Sequence, residues 1–370
     1  LDPAVGSGAF LLGMLERLAQ LRAGERPPAA LRRHILETNL FGVDRNPMAV
    51  RLAELRLWLA VIAAEEVRDP EAVAPLPNLD GVVRQGDSLL EPAMVLTGLD
   101  ARARQEGPEL ARLRREFVSS AGPAKQECAR RLRQAEVRVF AECLDRADQR
   151  VEAQLLGAAR HRTLFGERRG LDPDVCGALR ALRQRQRDLR ALRRRLRREA
   201  SVPWFRYEVH FADVLARGGF DLVVGNPPWV RAEELSPRER VQLGRRYRCW
   251  RGVGRGFRHL PDLSVAFVER SLELLAPGGT LGLLLPAKLA TAGYAARLRA
   301  ELVERCALEV VADLGHDPGA AFAATTYPAA VVLTKAPPAP DRLVSLETLL
   351  NEVGVPRSRM AELAPPYSTD

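Results

Sequence analysis

Three short apolar segments near the start of the chain each stop at an acid beside a glycine turn or a helix. Leu1-Asp2 reads as the tail of a strand, followed by the turn Gly6-Ser7-Gly8 and by apolar residues at helical spacing from Phe10 to Leu21. Leu40–Val43 reads as a second strand ending in Asp44, followed by a helix over 47–64 with Pro47 in its first turn. Val82-Val83 precedes Gly86-Asp87 as a third strand end. Strands alternating with helices imply a parallel sheet with crossover helices. In such open sheets, ligands bind outside the carboxyl ends of the strands. The pattern resumes with a strand at Phe220–Gly225, a helix over 263–275 closed by Pro277-Gly278-Gly279, and a buried strand at 280–285. A helix at 295–305 and strands at 308–314 and 329–334, joined by a long 315–328 loop, complete it. The fold expected is α/β: one Rossmann-like sheet interrupted by a helical insertion.

The interruption has a different chemistry. Residues 101–200 hold 26 basic and 14 acidic residues, a net of +12 against +9 for all 370 residues, so the remainder sums to −3. Few residues there are β-branched, and Leu179, Leu182, Leu189, Leu192 and Leu196 form a helical stripe. Gly122-Pro123 and the stretch 170–173 would divide the block into three helices. Arg180, Arg183, Arg187, Arg190 and Arg194 fall near one helical face, suited either to phosphates or to plain solvation. A second phosphate-contacting candidate is the loop 245–258, where Tyr247, Trp250 and Phe257 lie among arginines.

Several classes drop out. No run of about 18 apolar residues and no signal-peptide pattern is present, so no membrane span is expected. Five scattered cysteines without a C-x-x-C pair argue against disulfides and zinc and for a reducing, cytoplasmic setting. His34, His161, His210, His259 and His316 show no metal-ligand spacing and read as structural or solvent-facing. The chain starts at Leu1, in what looks like a strand end, which points to a fragment.

The strand ends carry the chemistry. The turn at Gly6-Ser7-Gly8 lets a ligand approach backbone, but Leu11 stands where a dinucleotide fingerprint has its third glycine. Asp44 is placed for ribose hydroxyls or as a helix N-cap, and Asp87 for an adenine amino group. The most specific signal is the strand 220–225 running into Asn226-Pro227-Pro228-Trp229. Two prolines stiffen that backbone, so that the Asn226 side-chain oxygen and the Pro227 carbonyl can aim at one amino group. Trp229 offers a flat face for stacking a base; the plain alternative is a proline turn with a core tryptophan.

Taken together, Asp2 to Leu11, Gly42-Val43-Asp44, Gly86-Asp87 and Asn226-Pro227-Pro228-Trp229 resemble the motifs of S-adenosylmethionine-dependent DNA adenine-N6 methyltransferases. Their order is that of the gamma group, most similar to Eco57I-like methylase domains of type IIG restriction-modification and related phage-defence enzymes. Asp262-Leu263, Phe267 to Leu275, Pro277 to Gly279, Leu285-Pro286, Lys288 and Thr326-Tyr327-Pro328 look like later motifs of that subgroup; two residues depart from the pattern, Ser264 where an aromatic is common and Val5 where a small residue or cysteine is frequent. The resemblance covers 1–90 and 206–335, leaving 91–205 as a basic helical insertion and 336–370 as a linker. It implies a Rossmann-like methyltransferase sheet and S-adenosyl-L-methionine as cofactor. The implied cofactor set is Asp2, Pro3, Gly6, Ser7, Gly8, Phe10, Asp44, Asp87 and Asn226: the turn around the methionine end, Asp2 near its amino group, Asp44 on the ribose and Asp87 on the adenine. The implied catalytic set is Asn226, Pro227, Pro228 and Trp229, with no metal. The implied partner is DNA, with fused or separate target-recognition and nuclease regions outside this chain. Methylation of RNA adenine, release-factor glutamine or cytosine N4, and a non-catalytic DNA-binding remnant, stand as alternatives.

Overall fold

The computed structural model describes residues 1–65, 74–90, 99–160, 173–199, 202, 204–251, 261–314 and 327–338. It divides into two compact units, Leu1–Leu90 with Arg217–Asp370, and Glu91–Ala216.

The first unit is built on seven adjacent extended segments. β1 (Gly42–Asp44) pairs in parallel with β2 (Val83–Gln85). β3 (Phe220–Gly225) pairs in parallel with β4 (Leu275–Pro286). β6 (Pro328–Thr334) lies antiparallel between β4 and β5 (Ala307–Asp313). Leu1-Asp2 joins the two groups. The Asp2 amide donates to the Phe41 carbonyl at 2.9 Å, and the Val224 amide donates to the Leu1 carbonyl at 2.8 Å. The expected first strand is therefore present as a two-residue segment at the middle of the sheet.

Local chemistry sets the helices. α1 (Ala9–Leu21) leaves the glycine turn and buries Leu11, Leu15 and Ala19; α2 (Pro28–Thr38) buries Leu31, Ile35 and Leu36. α3 (Pro47–Ile62) is capped by Asn46, whose side chain accepts from the Met48 amide at 2.9 Å, with Pro47 at its first position. The cap is thus Asn46 rather than Asp44. The expected 263–275 helix and 280–285 strand are continuous here: the strand begins at Leu275, directly after the helix. Phe220 pairs with Leu275 and Leu222 with Thr280, so Pro277-Gly278-Gly279 lies in a bulge, with Gly278 at φ +78°.

The second unit is helical. The helices are α4 (Leu99–Ser119), α5 (Gly122–Arg160) and α6 (Pro173–Glu199), the last two beginning at the expected glycine and proline. They bury Leu113, Phe140, Leu144, Leu189 and Leu196 in one core, against which Leu182 and Leu192 pack. Two short helices, α7 (Tyr207–His210) and α8 (Ala212–Ala216), extend this unit to Ala216. Val209 and Ala212 join its core, and Asp213 pairs with buried Arg114. His210 is buried, its Nδ1 2.8 Å from the Arg206 carbonyl, so its role there is structural.

Back in the first unit, α9 (Pro237–Arg246), α10 (Leu263–Leu274) and α11 (Ala296–Arg305) complete the helices. Asp262 caps α10, accepting from the Ser264 amide at 2.9 Å and hydroxyl at 2.6 Å. That contact explains the small polar residue at 264: it is fully buried and completes the cap.

Candidate active site

The sheet gathers the expected residues at the carboxyl ends of its strands. Gly6 and Gly8 take φ +53° and +80°, which side chains rarely adopt. A Cβ on Gly8 would also lie 2.9 Å from Ala53, so glycine there lets α1 start against α3. The Gly6 amide donates to Asp44 Oδ2 at 2.8 Å, and the Asn46 amide to Asp44 Oδ1 at 2.7 Å. Asp44 therefore holds the glycine turn and the start of α3 together.

At the next strand end, Asp87 Oδ1 accepts from the Leu89 and Leu90 amides at 2.9 and 2.8 Å. The Ser88 hydroxyl donates to the Pro3 carbonyl at 2.6 Å. Arg45, which the sequence reading passed over, reaches Asp87 at 3.8 Å and Glu239 at 3.2 Å. Its only sequence signal was adjacency to Asp44.

Asp2 is almost completely buried. Its Oδ1 accepts from the Ala4 amide at 3.0 Å, while Oδ2 is buried without a partner. Burial, opposed by that hydrogen bond, pushes its pKa up to about 7. A Cβ on Gly225 would sit 2.7 Å from Asp2 Oδ1. The last residue of β3 is therefore glycine because Asp2 packs on its backbone, which ties the first motif to the Asn-Pro-Pro-Trp motif.

After Gly225 the chain exposes Asn226 and Pro228, buries Pro227 and half-buries Trp229. The loop is anchored where the Leu263 amide donates to the Val230 carbonyl at 2.8 Å and the Ala232 amide to the Pro261 carbonyl at 3.1 Å. A cleft of about 590 Å³ opens here, lined by Pro3, Gly6, Asp44, Asp87, Asn226 and Pro228 among the expected residues. Asp2, Ser7, Gly8, Phe10, Pro227 and Trp229 are not in its lining. Ser7 is engaged through its carbonyl and hydroxyl by Arg56, each at 3.0 Å. Trp229 keeps its indole N–H buried without a hydrogen-bond partner.

The cleft also takes in Glu234 and Glu239, which sequence reasoning missed because they follow the motif on a short 3-10 turn and on α9. Its lining thus holds four carboxylates, Asp44, Asp87, Glu234 and Glu239, against the one guanidinium of Arg45. Leu235, Leu243, Leu263 and Phe267 supply an apolar wall. An acidic cleft with apolar walls suits a cationic ligand that also has flat or apolar parts.

The 245–258 loop requires a correction. Tyr247 is fully buried, donating its hydroxyl to the Leu89 carbonyl at 2.8 Å, and Trp250 is buried beside it. Both serve the core behind the cleft, because their rings pack on Leu89, Leu243 and Phe267 rather than face solvent. Phe257, with 252–260, lies outside the described residues, as do 315–326, Thr326, His161, His259, His316 and the chain from 339 onward. Among the described residues no group of acids, histidines and cysteines could hold a metal, and no helix is long and apolar enough to cross a membrane.

The Eco57I restriction-modification methylase family matches residues 38–319, spanning both strand ends Asp44 and Asn226. This chain belongs to that family. Relatives agree with the placement. A Methanocaldococcus jannaschii protein inferred to be a type II restriction enzyme and methyltransferase, RM.MjaORFECS2P, is 27% identical over 391 residues, covering 93% of this chain and 30% of that protein. The type II methyltransferase M.XhoI of Xanthomonas vasicola is 38% identical over 122 residues, covering 32% of this chain and 20% of that protein. M.PaeR7I of Pseudomonas aeruginosa, also a type II methyltransferase, is 31% identical over 118 residues, covering 32% and 19%. The chain thus spans at most 30% of the length of these relatives.

The residues present fit S-adenosyl-L-methionine, the cofactor that a methylase of this family implies. The acidic lining complements a sulfonium and an ammonium, and Asp2, behind the lining, keeps Oδ2 without a hydrogen-bond partner. A triphosphate would meet four carboxylates instead.

Proposed function

We propose that this chain transfers the methyl group of S-adenosyl-L-methionine to the N6 amino group of an adenine in DNA, as the methylase part of a cytoplasmic restriction-modification or phage-defence enzyme. The observation that carries the reading is the convergence of Gly6, Asp44, Asp87 and Asn226 on one acidic cleft at the carboxyl ends of the strands. The cofactor supplies the electrophilic methyl, and the protein supplies orientation.

In this reading Asp44 and Asp87 hold the ribose and adenine of the cofactor, and Asp2 stands near its amino group. The target base leaves the duplex because its amino group is otherwise held in the stack. Asn226, exposed at the cleft, accepts one N6 hydrogen through its side-chain oxygen, and the Pro227 carbonyl accepts the other. That pairing draws the nitrogen toward tetrahedral geometry and makes it a better nucleophile. Trp229 is assigned to stacking on the adenine; Pro228 and Val230 on either side of it line the cleft. The target-recognition and nuclease regions are assigned to parts of the enzyme outside this chain.

The test is transfer of labelled methyl to duplex DNA, followed by nucleoside analysis. N6-methyladenine is the expected product. N4-methylcytosine, or label in RNA or protein alone, would replace the substrate assignment. Absence of cofactor binding would favour a non-catalytic DNA-binding remnant.

A further inference from the structure

We propose that the outward face of α6 is a phosphate-binding surface for duplex DNA, built into the helical unit rather than into the methylase cleft. This rests on the reading that DNA is the substrate. The cleft lining, with four carboxylates and one arginine, repels a polyanion, so the attraction for the DNA backbone has to come from elsewhere.

α6 carries ten arginines and three acids. Arg180, Arg183, Arg187, Arg190, Arg194 and Arg197 are all exposed. Their spacing of three and four residues sets them in one row, opposite buried Leu189 and Leu196. At the rise of an α-helix that row is about 26 Å long, with a cation every 5 Å or so. Duplex DNA carries about one charge per 1.7 Å of axis over its two winding strands, a charge density that a dense row of cations complements.

Some other arginines of this unit are neutralised: Arg131 pairs with Glu116 at 3.0 Å, Arg138 with Glu109 at 3.0 Å, and Arg114 with Asp213, whereas Arg115, Arg133, Arg146 and Arg150 have no carboxylate partner among the described residues. In the α6 row, Arg190 has only a long pairing with Asp148 at 3.7 Å. Arg180, Arg183, Arg187, Arg194 and Arg197 have no carboxylate partner among the described residues; Arg187 donates to Gln184 instead. Like charges three and four residues apart oppose helix formation. A row of them held with one long counter-charge contact suits a polyanionic partner.

The experiment measures binding of the full chain to a fluorescein-labelled duplex across a salt series. Its variant replaces Arg180, Arg183, Arg187 and Arg194 with Gln together. Each phosphate left without its arginine should reduce the slope of log affinity against log salt by about 0.9, so the slope should flatten by up to roughly 3.6. Replacement of the same four by Lys should retain the slope. Circular dichroism and cofactor binding show that both variants are folded. An unchanged slope in the Gln variant, failure of the wild-type chain to bind duplex at low salt, or preference for single-stranded RNA overturns the surface. Methyl transfer is scored separately. Weakened duplex binding in the Gln variant beside a wild type that transfers no methyl leaves the surface standing and removes the function. Normal transfer with an unchanged slope does the reverse.

Discussion

The two compact units handle charge in opposite ways. Glu91–Ala216 holds 27 basic and 18 acidic residues, so its +9 is the net charge of the whole chain, while the rest is balanced. In the balanced unit, ionised groups turn inward onto a cleft, where Asp44 and Asp87 spend their oxygens on backbone amides and Arg45. In the basic unit, an arginine row on α6 turns outward, its one carboxylate contact among the described residues being Arg190 to Asp148 at 3.7 Å. Net charge therefore reports where a polyanion would be attracted and says nothing of where chemistry would occur.

The largest expected effect lies in the cleft. Asn226→Ala should reduce methyl transfer by about 100-fold or more, since the amino group loses its orienting acceptor. Cofactor affinity should fall far less than transfer, and the salt dependence of DNA binding should stay at its wild-type value. Transfer within a few-fold of wild type would remove the assignment of Asn226 and with it the division of labour between the units.

Next is Phe140→Ala. Phe140 is fully buried and meets Trp204 edge-on at 5.4 Å, so the cavity should cost about 3–5 kcal/mol. Hydrogen exchange should show weaker protection across α4, α5 and α6 while β1, β3 and β4 keep theirs. Equal weakening in the strands would show that the units do not fold separately.

Gly225→Ala makes the contrast within the cleft unit. The added methyl meets Asp2 Oδ1 at 2.7 Å, and relieving that contact should cost about 1–3 kcal/mol. Calorimetry should find weaker cofactor binding, with DNA salt dependence untouched. Unaltered affinity would show that Asp2 is not part of the cofactor site.

The pH dependence of Asp2 follows from its burial. Its folded pKa is raised to about 7 from an ordinary carboxylate value, so the folded state favours the protonated acid. Its contribution to stability is therefore greatest at acid pH and falls as pH rises from about 4 to about 7. A cofactor ammonium favours the ionised acid, so affinity should rise up to tenfold per unit as pH climbs toward 7 and then level. Asp2→Asn should flatten both profiles. A profile unchanged by that substitution would assign the titration to another group.

Much of this was legible in the sequence, for local reasons. Helix ends at Pro47, Gly122 and Pro173 follow from backbone restrictions, and β3 was bounded by apolar residues and a proline pair. Asp44, Asp87 and Asn226 were recognisable because each ends or closely follows a strand. Features that depend on distant neighbours were not legible. Tyr247 and Trp250 read as exposed among arginines, yet Leu89, far off in sequence, takes the Tyr247 hydroxyl. The buried state of Asp2 depends on β3, and the acidity of the cleft depends on Glu234 and Glu239, which no motif marks.

The smallest effect tests whether the cleft's one arginine is held in place. The Ser236 hydroxyl donates to Glu239 Oε2 at 2.7 Å and accepts from the Glu239 amide at 3.2 Å, closing the cap of α9. That hydroxyl contact is the main reason the Glu239 carboxyl sits below its ordinary range. Through its other oxygen Glu239 holds Arg45 beside Asp87. Ser236→Ala should cost about 1 kcal/mol of stability and raise the Glu239 pKa. Because Arg45 is exposed and keeps Asp87 as a second partner, cofactor affinity should change by less than about threefold, roughly 0.6 kcal/mol. A larger drop would mean that Arg45 contacts the ligand itself. The cleft would then use its cation as directly as its acids, and the contrast with the outward arginines of α6 would narrow to one of number.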